Sequence, residues 1–129
     1  MKWKCDDCGI ENELSQSTCP GCFKPRSPLG VGLISDETGK EIQCRISAVL
    51  GGRTLKKLGD SGLKYVSDEQ FRLDKKPDLG AWVVTNLPVA KNPTYLNGAP
   101  IPDEGSQLKE GDKLSIKGKA LALTVKFIY

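Results

Sequence analysis

The sequence predicts an all-β chain, an antiparallel sandwich that follows a small metal-held module. Three observations predict it. Apolar and polar residues alternate along short runs, as at Ile42, Cys44, Ile46 and Ala48 in EIQCRISAVL, and a period of two marks a half-buried strand. Turn signals rich in Gly, Pro and Asn break these runs at short intervals, the pattern of a sandwich rather than of crossover units. Four cysteines crowd into the first 22 residues, a stretch too poor in apolar side chains to fold unaided.

The composition changes near KPRSPLG, residues 24–30, whose prolines, serine and basic residues read as a linker. It divides the chain into residues 1–27, the cysteine module with its linker, and residues 28–129, the sandwich. Along the second part GVGLISD reads as the first strand and ETGK as a turn. EIQCRISAVL reads as one alternating strand with Cys44 on its apolar face, a core thiol rather than a nucleophile. The runs KYVSD, QFRLD, AWVVTNL, KLSIKG and ALALTVKFIY follow. They are rich in Val, Ile, Tyr and Trp, which suit a pleated surface. Trp82 and Tyr95 read as core or sheet residues. No stretch of a dozen residues carries a helical stripe.

The net charge is +3, from 19 basic and 16 acidic residues. In residues 1–27, Lys2, Lys4, Lys24 and Arg26 balance Asp6, Asp7, Glu11 and Glu13. The excess therefore lies in the second part, and it is too mild to imply a sequence-independent nucleic-acid binder. No signal peptide, long apolar span or lipidation motif is visible, so a cytoplasmic protein without a membrane partner is expected. The chain has no histidine, which removes histidine-based triads and histidine metal ligands. With no phosphate-cradling loop and no general-base constellation, no enzyme is indicated.

Cys5 and Cys8 form one Cys-x2-Cys knuckle and Cys19 and Cys22 a second, ten residues on. Two such knuckles present four thiolates to one tetrahedral ion. In an intracellular chain the spacing favours one structural Zn2+ over redox chemistry or two disulfides. Metal binding would then supply the folding energy that the missing core cannot. The wider pattern, Trp3, Cys5, Cys8, Asn12, Cys19 and Cys22, resembles the Ran-binding-protein type of zinc finger. The resemblance implies two short crossed hairpins around zinc, with Asn12 tying a loop and Trp3 at the edge. Related fingers bind single-stranded RNA or ubiquitin. Glu13 follows Asn12 where RNA readers resemble one another in an aromatic, and ELSQST lacks their arginines. Gly9 and Ile10 stand where ubiquitin readers have Thr-Phe. A structural or partner-contacting finger is expected, with RNA binding as the alternative.

Four motifs then occur in order. GGR contains Arg53, SDEQ contains Ser67 and Gln70, NPTYLNG runs from Asn92 to Gly98, and LKEGDKL follows. This order resembles the forkhead-associated (FHA) domain over essentially all of residues 30–129. The resemblance implies an eleven-stranded β-sandwich whose loops at one end read phosphothreonine. Arg53 would contact the phosphate and Ser67 would hydrogen-bond it. Asn92 would hold the main chain of the bound peptide. Gly51, Gly52, Gln70, Asn97 and Gly98 would shape and support the loops. The chemistry suits the ligand, because a phosphate monoester offers about two negative charges and three acceptors to Arg and hydroxyl donors.

The sequence also departs from the family. Gln70 replaces a histidine, Asp68 brings negative charge beside the pocket, and Pro93 stiffens the loop. Ala90-Lys91 replaces a hydroxyl-bearing pair, and Lys91 returns a positive charge. The combined expectation is a monomeric, non-enzymatic signalling adaptor for a Thr-phosphorylated partner. The pairing of finger and FHA-like domain is similar to archaeal signalling proteins, including repressors of motility. The alternatives are a nucleic-acid-binding regulator acting through the finger and a scaffold that binds without phosphate.

Overall fold

The computed structural model describes residues 2–5, 9–13, 19–21, 28–76 and 80–128. The described part of the cysteine module contains a hairpin of β1 (Lys2–Lys4) and β2 (Glu11–Glu13), paired antiparallel with Lys4 opposite Glu11. The turn folds on its own backbone: Gly9 N–H donates to Cys5 O at 2.9 Å and Cys5 N–H to Ile10 O at 3.0 Å. Asn12 is buried and donates its amide to Ile10 O at 3.3 Å. Cys8, Cys22 and the second expected hairpin lie outside the described residues.

Residues 30–128 build two antiparallel sheets. The strands are β3 (Gly30–Ser35), β4 (Glu41–Cys44), β5 (Ala48–Leu50), β6 (Phe71–Lys76) and β7 (Ala81–Asn86). They continue with β8 (Thr94–Leu96), β9 (Ala99–Pro100), β10 (Ser106–Gln107), β11 (Lys113–Ile116) and β12 (Leu121–Ile128). One sheet has the order β4-β3-β12-β11-β8-β9, the other β10-β7-β6-β5. The inward residues of both faces form one core. Leu33, Phe71, Leu73, Trp82, Leu114 and Val125 are at most 1% exposed. At about 25 cal/mol per Å² of apolar surface removed from water, such a core is the main favourable contribution to folding. Trp82 satisfies its ring N–H on Pro28 O at 3.2 Å, so its burial leaves no polar group stranded.

The two sheets hold ten strands among the described residues, where the FHA resemblance implies eleven. Two runs differ from the sequence expectation. EIQCRISAVL is not one strand: β4 pairs with β3 in one sheet and β5 with β6 in the other. The chain crosses between sheets at residues 45–47, where Ser47 Oγ accepts from Lys75 N–H at 2.9 Å. The crossing breaks the alternation and leaves Ile46 76% exposed. Cys44 faces the core from β4, and burial pushes its thiol pKa up, the environment of a packed rather than a reactive thiol.

KYVSD is not a strand either. Gly52–Leu55 forms a single helical turn, α1, and 3-10 turns follow at Lys56–Leu58 and Ser61–Tyr65. Asp60 decides the outcome. Its carboxylate accepts from Gly62 N–H at 2.8 Å and from Ser35 Oγ at 2.5 Å. A buried cap of this kind overrides the β preference of Tyr and Val.

Candidate functional site

Three connections meet at one end of the sandwich: residues 51–58 after β5, residues 61–70 before β6, and residues 87–93 between β7 and β8. The first two are zipped together. Gly52 N–H donates to Ser67 O at 3.0 Å and Gln70 N–H to Leu50 O at 2.8 Å. Gly51 lies so close to the next segment that a Cβ there would sit 1.8 Å from Asp68 O. Only glycine fits this approach at residue 51, whereas a Cβ at Gly52 would meet nothing nearer than Val66 O at 3.6 Å.

Gln70 joins the third loop to these two. Its side chain is fully buried. Its Oε1 accepts from Ser67 N–H at 2.9 Å, and its Nε2 donates to Asn92 O at 2.5 Å and Thr94 Oγ1 at 3.1 Å. A buried amide with both ends satisfied fixes geometry, because losing any one bond strands a polar group away from water. Asn86 clamps the start of β8 from the other side. Its Oδ1 accepts from Thr94 N–H and its Nδ2 donates to Thr94 O, both at 2.9 Å.

These ties open a cleft of about 360 Å³ lined by Lys64, Tyr65, Val66, Ser67, Asp68, Val89, Lys91 and Asn92. Ser67, Asp68, Lys91 and Asn92 were marked by the motif pattern. Ser67 Oγ accepts from Lys91 N–H at 3.0 Å. No described acceptor takes the Ser67 hydroxyl proton, which leaves it available to donate. The Lys91 side chain is exposed and has no ion-pair partner among the described residues. Asn92 donates one amide hydrogen to Tyr65 O at 3.1 Å. Its second amide hydrogen and its Oδ1 have no partner among the described residues. Asp68 stands exposed on the same lining.

Arg53 is placed differently. It is exposed on α1 and does not line the cleft. Its backbone neighbour Gly52 is bonded to Ser67, so the root of the side chain is fixed beside the cleft while the guanidinium has no partner among the described residues. Lys64, Tyr65, Val66 and Val89 complete the lining, and no motif marks them. Tyr65 and Val66 look like strand residues by composition, and only the Asp60 cap turns that segment toward the cleft.

Asn97 and Gly98 lie at the opposite end of β8. Both adopt left-handed φ, 51° and 80°, as a tight two-residue hairpin requires. Asn97 Nδ2 donates to Asp112 Oδ1 at 3.0 Å, and Asn97 Oδ1 accepts from Lys113 N–H at 2.9 Å. Asp112 also accepts from Lys109 N–H at 2.7 Å. The pair ties the β8–β9 turn to the LKEGD turn.

The described residues thus form a β-sandwich with a pre-tied loop cleft at one end. The comparisons give its family. The FHA domain matches residues 39–117, well over half the chain. The chain belongs to the FHA domain family.

Solved structures agree on the fold. One similar structure, from a structural and functional study of phosphothreonine-dependent FHA domain interactions, is 24% identical with a TM-score of 0.59, covering 75% of this chain and 95% of its own. The FhaA FHA domain complexed with the intracellular domain of Rv3910 is 25% identical with a TM-score of 0.57, covering 74% and 99%. The FHA domain of an Arabidopsis thaliana protein is 21% identical with a TM-score of 0.58, covering 80% and 88%. No curated protein matches the chain in sequence. Among the described residues no helix is long and apolar enough to cross a membrane.

Proposed function

We propose that the sandwich of residues 28–129 is a non-enzymatic reader that binds a Thr-phosphorylated segment of a partner protein. The observation that carries this reading is the convergence of Ser67, Lys91 and Asn92 on one cleft, with a hydroxyl donor, a cation and an amide still able to bond. Ser67 donates to a phosphate oxygen and Lys91 adds a point charge. Arg53, rooted beside Ser67, swings its guanidinium onto the phosphate. The remaining Asn92 amide hydrogen holds the peptide main chain. Gly52 and Gln70 keep the cleft loops in place, while Asn97 and Gly98 hold the β8–β9 turn at the other end of β8. The similar structures support the ligand class, since one concerns phosphothreonine-dependent interactions of its own FHA domain.

The test is a titration with a phosphothreonine peptide, its phosphoserine twin and its unmodified twin. The phosphothreonine form binds best, and Arg53→Ala and Ser67→Ala each weaken it by about 1.5–3 kcal/mol, the worth of a charge-assisted hydrogen bond. Equal binding of the unmodified peptide would mean a phosphate-independent scaffold.

Residues 1–27 are proposed to hold one structural zinc on Cys5, Cys8, Cys19 and Cys22. An all-thiol donor set suits that ion. Cys5 and Cys19 are both buried, 4% and 0% exposed. Cys5 also heads the tight Gly9 turn, which is how a knuckle presents thiolates. Zinc would supply cross-linking and folding energy only. Metal analysis should return one zinc per chain. Retention of the native circular dichroism of a residues 1–27 peptide after chelation would contradict this assignment.

A further inference from the structure

Positive charge is left unpaired around the cleft; three cations on the sheets are paired with carboxylates, while Lys75 and Lys76 at the far end of β6 have no such partner among the described residues. Arg72 pairs with Asp74 at 2.9 Å, Lys113 with Asp36 at 3.0 Å and Lys126 with Glu41 at 3.9 Å. By contrast, Arg53, Lys64, Lys91, Lys117 and Lys119 are exposed, and none pairs with a carboxylate among the described residues. Lys64 and Lys91 line the cleft itself. Lys117 and Lys119 sit on the β11–β12 turn.

That turn is packed against the cleft wall. A Cβ on Gly62 would lie 2.1 Å from Ala120 O, so the turn carrying the two lysines abuts the 3-10 turn that ends in Lys64 and Tyr65. Lys64 also lies 5.3 Å from the centre of the Tyr65 ring, close enough for a cation–π contact. The wall of the cleft and the lysine turn therefore form an adjoining rim rich in lysine, with Glu37 bonded to Ser61 at the junction and Asp36 beside Lys119. Asp68 is the one acid on the cleft lining among the described residues. A single phosphate cannot reach all of this rim, because it makes its contacts at hydrogen-bond distance.

We infer that the cleft selects acidic phosphothreonine segments, with Lys117 and Lys119 contacting Asp or Glu residues on one side of the phosphothreonine. The inference rests on the phosphothreonine reading above and adds the class of flanking sequence. The exposed lysines act as point charges with little geometric demand, so the preference is for charge rather than for one residue at one position.

Four peptides test it: a phosphothreonine peptide with neutral flanks, two versions with three glutamates before or after the phosphothreonine, and an acidic peptide without phosphate. Affinities are measured at low salt for the wild type, Lys117→Glu/Lys119→Glu and the control Lys75→Glu/Lys76→Glu, whose charge change lies at the far end of β6. One acidic-flank phosphopeptide should bind about five- to twentyfold tighter than the neutral one, the scale of a few exposed ion pairs. That gain should vanish in Lys117→Glu/Lys119→Glu, persist in the control, and shrink as salt rises. Neutral-flank affinity should change little.

An acidic gain that is absent, or that survives the double variant, overturns the inference and leaves the phosphothreonine reading intact. Equal binding of the acidic unphosphorylated peptide or of a single-stranded RNA oligomer overturns it too, since the rim would then be a general anion surface. Failure of every phosphopeptide, neutral flanks included, overturns both.

Discussion

The two ends of β8 make opposite use of the same residue type. At one end Asn92 ties residues 87–93 to Tyr65 but keeps bonding capacity in reserve, next to a serine hydroxyl and an unpaired lysine. At the other end Asn97 uses its amide and its carbonyl on Asp112 and Lys113, and Asp112 is itself further occupied by Lys109. Three strand residues separate the two ends. Asn97 keeps only one amide hydrogen in reserve, so this turn spends most of its polar groups on the fold. Loops that are rigidly tied yet leave donors and cations unspent have bonding capacity left for a ligand. The difference lies in the hydrogen-bond accounting, not in residue identity.

That contrast can be broken most severely at Gln70. Gln70→Ala leaves Ser67 N–H and Asn92 O half-buried and Thr94 Oγ1 buried without their partner, and urea unfolding should show a loss of about 3 kcal/mol. Phosphopeptide binding should fall with it, because residues 87–93 lose their tie to the Ser67 loop. Ser67→Ala sharpens the comparison by separating the two effects. Stability should hold to within about 0.5 kcal/mol, the scale of a surface change, while the affinity loss given above remains.

Asn97→Gly probes the opposite end. Glycine keeps the left-handed turn but removes the bonds to Asp112 and Lys113, so stability should fall by about 1 kcal/mol. Phosphopeptide affinity should stay at the wild-type value. A loss of affinity there would erase the distinction between the ends.

The smallest expected effect concerns pH. Burial alone would raise the Asp36 pKa, but hydrogen bonds from Thr124 and Lys113 and the Lys113 charge outweigh it and hold the carboxyl below its ordinary value. A carboxylate depressed in the folded state contributes stability above its unfolded pKa and loses it as pH falls through the folded value. Wild type should therefore lose slightly more stability than Asp36→Asn on acidification below the usual carboxylate range. Thermal melts across that range would show whether the gap closes. Asp36 is exposed, so screening keeps the effect small.

Much of this was legible in the sequence, for identifiable reasons. The sandwich announced itself through period-two runs and turn residues, since one face of each strand must meet the core. The cleft-side residues Ser67, Lys91 and Asn92 could be located because short motifs hold them at fixed spacings. The course of residues 45–65 was hidden. Nothing local says that Ile46 sits where the chain changes sheets, or that Asp60, by bonding Ser35 from 25 residues away, coils Tyr65 into the cleft wall. Both outcomes depend on long-range partners. The lysine-rich rim was hidden for the same reason, because the turn carrying Lys119 comes beside the cleft wall only through the contact of Gly62 with Ala120.

The central claim is that ligand is received at the Asn92 end of β8 and not at the Asn97 end. The most direct measurement is an amide chemical-shift titration of the full chain with a phosphothreonine peptide. The account predicts saturable shifts at the backbone N–H groups of Gly52, Ser67, Lys91 and Asn92, with Asn97, Gly98 and Lys113 unmoved. Shifts centred on Asn97, Gly98 and Lys113, with the Ser67 cleft silent, would contradict it.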